Sequence, residues 1–263
     1  KGSRLRDTVR YESVTGKNHF FERIGAVSAQ KRTSRHSDTP RMDTPHSRRR
    51  VSMDDYDWAD LIDQEDKVRM LITPQSEYAM AGANAMGRAM DTAIIEAAVG
   101  NAYGGVAGGT TIALPSAQKI VHGSAGLTVT KLLEAKEIID GSDVDAEEDR
   151  FCILTAKQVT DLLNSTEVKS SDYNTVKALA QGQLDSFLGF KFVRSERVGT
   201  DTNGNRQVTV YCKSGLGLAM GSEIQTRISE RDDKNYATQV FLSMTIGATR
   251  VEDEKVVEIA CTE

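Results

Sequence analysis

Cysteine is scarce in this 263-residue sequence. The three present, Cys152, Cys212 and Cys261, are odd in number and widely spaced, which excludes a disulfide framework and a CxxC-type zinc site and fits a reducing compartment. No stretch reaches the roughly 18 apolar residues of a membrane-spanning helix, so no membrane partner is expected. No secretory pattern opens the chain, and a start at Lys1 points to a trimmed or processed form. Between residues 22 and 55 there is no Phe, Tyr or Trp, so nucleic-acid bases would find nothing to stack on there. His19 and His122 lack matching partners, which leaves no Ser/His/Asp constellation. Neither an enzyme nor a cofactor is expected.

What is present is unevenly distributed. Hydrophobic residues make up 39% and charged residues 27%, enough for one large domain or two modest ones. The net charge of −5 conceals an asymmetry. Residues 1–50 carry 13 Lys and Arg against 5 Asp and Glu, a surplus of +8, while the remainder carries 20 against 33, or −13. Such a basic segment on an acidic body fits either nucleic-acid binding or contact with an acidic surface, including that of another copy.

Residues 1–62 do not read as self-sufficient. Between Val27 and Val51 the only large apolar side chain is Met42, too little burial to offset the entropy of ordering. Thr39-Pro40 and Thr44-Pro45 bracket a tip, and the alternation through Arg50, Ser52 and Asp54 suits a strand. The pattern predicts a long hairpin over residues 24–60, held by something outside its own chain. His36, Asp38, Asp43 and His46 cluster at its tip, but without a rigid shell to fix metal geometry; a solvated or partner-facing loop is expected. The acidic stretch Asp54, Asp55, Asp57, Asp60, Asp63, Glu65 follows the basic one directly, which suits a basic extension meeting an acidic patch on a sibling subunit.

The clearest element is a helix over 74–99, opening on Thr73-Pro74. Ala79, Ala83, Met86, Met90, Ile94 and Ala97 form one stripe, while Glu77, Arg88, Asp91 and Glu96 are expected to keep the helix soluble. The loop Gly104 to Gly109 has phosphate-loop glycines but Thr110 in place of the required Lys, and a strand-like run after it, so a flexible turn is expected. Further on, the pattern predicts helices at 128–140, from Thr155, and over 173–187. Strands are expected at 150–154, 190–194, 206–213, 223–229, 236–250 and 255–261, with Asp201 to Asn205 closing a hairpin between 190–194 and 206–213. The class is α+β.

The joint order of these parts resembles the major capsid proteins of tailed bacteriophages, with the Hong Kong 97-type coat fold also seen in encapsulins. The likeness is carried by the run Leu127 to Leu163, by Leu188-Gly189-Phe190-Lys191-Phe192-Val193, and by Ser229 to Tyr236 leading into the long strand. Lys31 to Arg50 running into Tyr56-Asp57-Trp58-Ala59-Asp60 is similar to one group of short-tailed phage coat proteins. The resemblance implies an N-terminal arm (1–22), an extended loop (23–62), a peripheral domain in two parts (63–126 and 236–263) with a spine helix at 74–99, and an axial α/β domain (127–235). It implies a structural subunit of pentamers and hexamers that close an icosahedral shell around double-stranded DNA, a virion protein assembled in the host cytoplasm. Its partners would be itself, a scaffolding protein, a portal protein, an optional decoration protein and DNA bound without sequence recognition. Alternatives are an encapsulin-like compartment or a basic-armed DNA-binding protein. Lys31, Arg32, Arg35, His36, Arg41, Arg48, Arg49 and Arg50 would meet Asp54, Asp55, Asp57, Asp60, Asp63 and Glu65 of adjacent copies, and changing Arg48–Arg50 to Glu is expected to stop closure. Some relatives join subunits by a Lys–Asn isopeptide bond promoted by Glu. Residues 236–250 hold no Asn, Asp or Glu, with Gln239 and Ile246 at the corresponding positions, so a non-covalent shell is expected.

Overall fold

A computed structural model describes residues 2–25, 27–31, 34–35, 41–63, 74–142, 144–145, 147–164 and 186–263. The expected helix at 173–187 and the Thr73 start of the long helix lie outside these, except that Ser186–Phe187 is a short strand.

Three sheets share the strands. The first runs β1 (Arg10–Ser13), β12 (Leu216–Arg231), β13 (Ala237–Arg250) and β4 (Asp54–Ile62). The second has six strands in the order β7 (Lys119–Ile120), β14 (Val256–Cys261), β11 (Arg206–Cys212), β8 (Arg150–Leu154), β10 (Phe190–Arg194) and β9 (Ser186–Phe187). The third joins β2 (Asn18–Ile24), β3 (His46–Ser52), β5 (Ala102–Gly104) and β6 (Thr110–Ile112). Helix α1 spans Pro74–Val99, the range its stripe predicts. Helix α2 (Val129–Asp140) starts on Thr128, whose hydroxyl accepts the Lys131 N–H, and Gly141 follows its last residue. Helix α3 (Ala156–Asn164) starts after Thr155, whose hydroxyl and N–H both meet the Gln158 side chain.

Two cores meet back to back on the six-stranded sheet. Strand β8 is buried on both faces, so period-two geometry sends Phe151 and Ile153 to one core and Cys152 and Leu154 to the other. The first core includes α1 (Met86, Met90, Ile94) and β13 (Val240, Leu242, Met244, Ile246). The second is covered by Leu132, Ala135 and Ile139 of α2. Each such leucine or isoleucine contributes about 1.5–3 kcal/mol by leaving water.

Four expectations change. The hairpin pairs Asn18–Ile24 with His46–Ser52, not residues 24 to 60. Its second flank ends at Ser52, and Asp54–Ile62 instead pairs with β13 from Ile246 to Thr238. The Asn-Gly turn does form, with Asp201 accepting the Asn203 and Asn205 N–H groups, but it closes a single bridge between Thr200 and Arg206. Strands β10 and β11 do not pair with each other because β8 lies between them. Strand β12 pairs with β13 beside α1, and β14 pairs with β11.

The largest change concerns the N-terminal segment. Residues 2–13 fold onto their own body. Leu5 and Val9 are buried in the first core, and Arg10–Ser13 runs parallel to Gly217–Met220. Asp91, expected at the helix surface, is buried and accepts from the Ser3 hydroxyl (2.6 Å) and from the N–H groups of Arg4 (3.0 Å) and Leu5 (3.2 Å). Gly87, one turn earlier, permits the crossing: a Cβ there would lie 2.7 Å from Ser3 N. Gly87, Asp91 and Ile95 thus form a second buried row beside the predicted stripe.

Candidate assembly surface

The basic hairpin rises from a fixed base. The β2–β3 ladder runs for seven residue pairs, and the Gly25 N–H donates to Pro45 O at 2.8 Å where the strands open into the loop. Underneath, Phe21 is fully buried against Gly217, where any side chain would strike its ring. Val51 and Met53 complete this small third core.

Arg49 locks the base to the body. It is 8% exposed, and its Nη2 reaches Asp253 Oδ2 at 2.7 Å. The other oxygen of Asp253 accepts from Arg250 Nε at 2.6 Å. Arg250 is fully buried and donates also to the carbonyls of Ala98 (3.2 Å), Gly100 (2.6 Å) and Ile112 (3.0 Å). It therefore satisfies carbonyls at the C-terminal end of α1, where a cation also suits the helix dipole. One carboxylate thereby ties the hairpin, the long strand, the helix end and β6 together. Nearby, Arg23 Nη2 pairs with Glu254 at 2.6 Å. Burial works against both of these charges, but the pair holds the Glu254 carboxyl below its usual range.

The expected contact residues separate accordingly. Arg49, expected to meet a neighbour, pairs with Asp253 of its own chain and is almost wholly buried. Arg48 lies half-buried over the Phe20 ring (4.8 Å) and Arg50 over Tyr103 (5.4 Å). Changing all three to Glu would therefore damage the hairpin itself. Lys31, Arg35 and Arg41 are exposed on the loop, while Arg32 and His36 lie outside the described residues. Asp54, Asp55, Asp57, Asp60 and Asp63 are exposed on and just beyond β4, and Glu65 lies outside the described residues. Strand β4 pairs only with β13 among the described residues, so these carboxylates follow an open sheet edge. Asp55 accepts from the Thr245 hydroxyl (2.6 Å) and Asp60 from the Leu61 N–H (2.8 Å). Among the described residues, neither this acidic row nor Lys31 or Arg41 forms an ion pair in its own chain.

Sequence reasoning missed Asp253, Arg250 and Asp91. A signal existed for Arg250, which shares the even-numbered parity of Val240, Leu242, Met244 and Ile246 and so falls on the buried face of β13. The glycine-rich loop proves to be the turn between β5 and β6, with a strand rather than a helix after it. Asp43 and His46 are exposed; His36 and Asp38 lie outside the described residues. Among the described residues no three His, Cys, Asp or Glu side chains come together as metal ligands. No helix among them is long and apolar enough to cross a membrane.

The same architecture is found in solved phage capsids. A capsid structure of the cyanophage P-SCSP1u superposes with a TM-score of 0.75 at 19% identity, covering 100% of this chain and 89% of that one. The capsid of Ralstonia phage GP4 gives 0.75 at 11% identity over 97% and 87%. A structure from Mycobacterium phage Che8 gives 0.68 at 16% identity over 93% and 85%. These likenesses establish the fold as the mixed α+β, Hong Kong 97-type capsid fold. Among curated proteins none matches. The sequence model of the family described as "Phage capsid protein" matches residues 1–263, the whole chain, and on that match this chain belongs to the phage capsid protein family, a structural component of virions and not an enzyme.

Proposed function

We propose that the chain is the repeating subunit of an icosahedral shell, built from pentamers and hexamers and closed without covalent cross-links around double-stranded DNA. The observation that carries this reading is a pair of surfaces of opposite charge: a basic loop raised on a rigid base, whose Lys31 and Arg41 form no ion pair among the described residues, and an acidic open strand edge, whose Asp54, Asp55, Asp57 and Asp60 form none there either. A loop from one copy laid along β4 of the next would match them, and repetition around a ring uses both surfaces of every copy. Single exposed pairs contribute only about 0–1 kcal/mol, but many repeated contacts make closure steep and salt-sensitive. The absence of cross-links is supported by β13, where Gln239 accepts from Arg231 and Ile246 is buried, leaving no Asn or Glu for an isopeptide bond. A separate scaffolding protein, a portal and assembly in the host cytoplasm belong to the same reading.

The test leaves the Arg49 anchor untouched. Lys31, Arg35 and Arg41 are changed together to Glu, and particles are examined by negative-stain electron microscopy. Soluble capsomers without shells are expected, with shells restored when Asp54, Asp55, Asp57 and Asp60 are changed to Lys in the same chain. Normal shells from the triple variant alone would defeat the charge-matching reading.

A further inference from the structure

Eight of the described arginines form an ion pair with a carboxylate of their own chain. Three that do not, Arg4, Arg88 and Arg197, line a single groove of about 660 Å³. They arrive from separate elements: the N-terminal segment, the middle of α1 and the turn after β10. All three are exposed. Arg4 Nη1 donates to the Arg194 carbonyl at 2.7 Å and Arg197 Nη1 to the Thr92 hydroxyl at 3.3 Å, both neutral acceptors that leave the charge uncompensated. Two carboxylates share the lining. Asp91 is buried beneath the N-terminal segment and already accepts from three donors. Glu196, at the rim, accepts the Ala156 N–H at 2.7 Å. These donors are neutral as well, so among the described residues the lining carries three guanidiniums against two carboxylates, three minus two leaving a net charge of +1, with the exposed mouth the more basic because Asp91 is buried.

The rest of the lining narrows the ligand. Gly2, Asn84, Thr92 and Ser195 complete it, with no large apolar side chain among them. Such a surface offers charge and hydrogen bonds but no pocket for a side chain or base. It suits a ligand recognised through repeated anionic groups without sequence preference, which describes a phosphodiester backbone better than an acidic peptide. A larger groove of about 1100 Å³ that also borders the N-terminal segment lacks this property, since its lining mixes Arg6, Arg10 and Lys213 with Asp7, Glu147, Glu148 and Asp149.

We propose that the Arg4–Arg88–Arg197 groove seats backbone phosphates of duplex DNA, and that the face bearing the N-terminal segment and α1 is the one turned toward the shell's contents. This assignment rests on the shell reading above. Each phosphate neutralised contributes about −0.9 to the slope of log affinity against log salt. Three contacts imply that binding weakens about 40-fold more in the native protein than in a variant lacking them, between 50 and 200 mM salt.

The experiment measures binding of a fluorescent 30-base-pair duplex by the full chain, by R4Q/R88Q/R197Q, and by the charge-matched control K136Q/R227Q/K234Q. A slope shallower by about 2–3 in the groove variant, with the control unchanged, is the expected result. An unchanged slope in the groove variant, or an equal loss in the control, would overturn the assignment. A 20-residue polyglutamate probe is run alongside; binding of it that the groove variant alone loses, with duplex binding intact, would assign the groove to an acidic protein segment instead. Electron microscopy of the same samples separates the two ideas: shells without groove-dependent DNA binding would refute only the groove, whereas native protein that never forms shells would refute the shell reading.

Discussion

Removing the Asp253 carboxylate isolates the contribution of the hairpin anchor. Asp253→Ala leaves Arg250, fully buried, without its anionic partner, and leaves Arg49 with only a 3.4 Å approach to the Val251 carbonyl. Breaking a buried ion pair by deleting one member costs about 3–5 kcal/mol, and three carbonyl acceptors around Arg250 keep the loss within that range. Arg49→Met removes one charge-assisted hydrogen bond of about 1.5–3 kcal/mol and leaves the Arg250–Asp253 pair in place, so it is expected to cost less. Urea unfolding of the dissociated full chain measures both, and the double variant closes a cycle with a coupling of at least about 1 kcal/mol. Hydrogen exchange should rise in β2 and β3. A cost below about 1 kcal/mol for Asp253→Ala, or additive single and double variants, would refute the anchor.

Gly87→Ala would ordinarily favour a helix by about 1 kcal/mol, but its Cβ would lie 2.7 Å from Ser3 N and 2.8 Å from Gly2 C; faster proteolysis of residues 2–13 is expected, and a stabilised, protease-resistant product would contradict the crossing. Acid should weaken the fold as pH falls below the ordinary glutamate range near 4.5. Burial alone would raise Glu148 and Glu254, but hydrogen bonds from Ser214 and the charge of Arg23, respectively, outweigh it, while Arg206 lowers Glu263 directly. The unfolded chain therefore binds more protons there, so this stabilisation is complete above the unfolded value and is lost as pH drops through the folded values; a melting temperature constant from pH 6 to pH 3 would count against it. Burial pushes the Cys212 and Cys261 thiols up to about 11 and Cys152 higher still. All three should resist a thiol reagent at pH 8 until urea unfolds the chain, and rapid labelling of the native protein would place a cysteine at the surface.

Local periodicity determined a good deal by itself. The 26 residues of α1, the five-residue strand β8, the long alternation of β13 and the helix ending at Asp140 follow from spacing and turn chemistry between near neighbours, and they stand where the sequence puts them. The shortage of apolar residues from 27 to 50 also correctly denied the hairpin a core of its own. What composition could not decide was which surface supplies the missing support. That depended on contacts between residues roughly 90 to 200 positions apart, such as Ser3 with Asp91 and Arg49 with Asp253. A charge reads the same in sequence whether it is solvated, buried in a pair or reserved for another molecule. Only folding, by bringing Arg49 to Asp253 while leaving Lys31, Arg41 and the β4 carboxylates without ion pairs among the described residues, separates the charges that hold the fold together from those that stay on its surface.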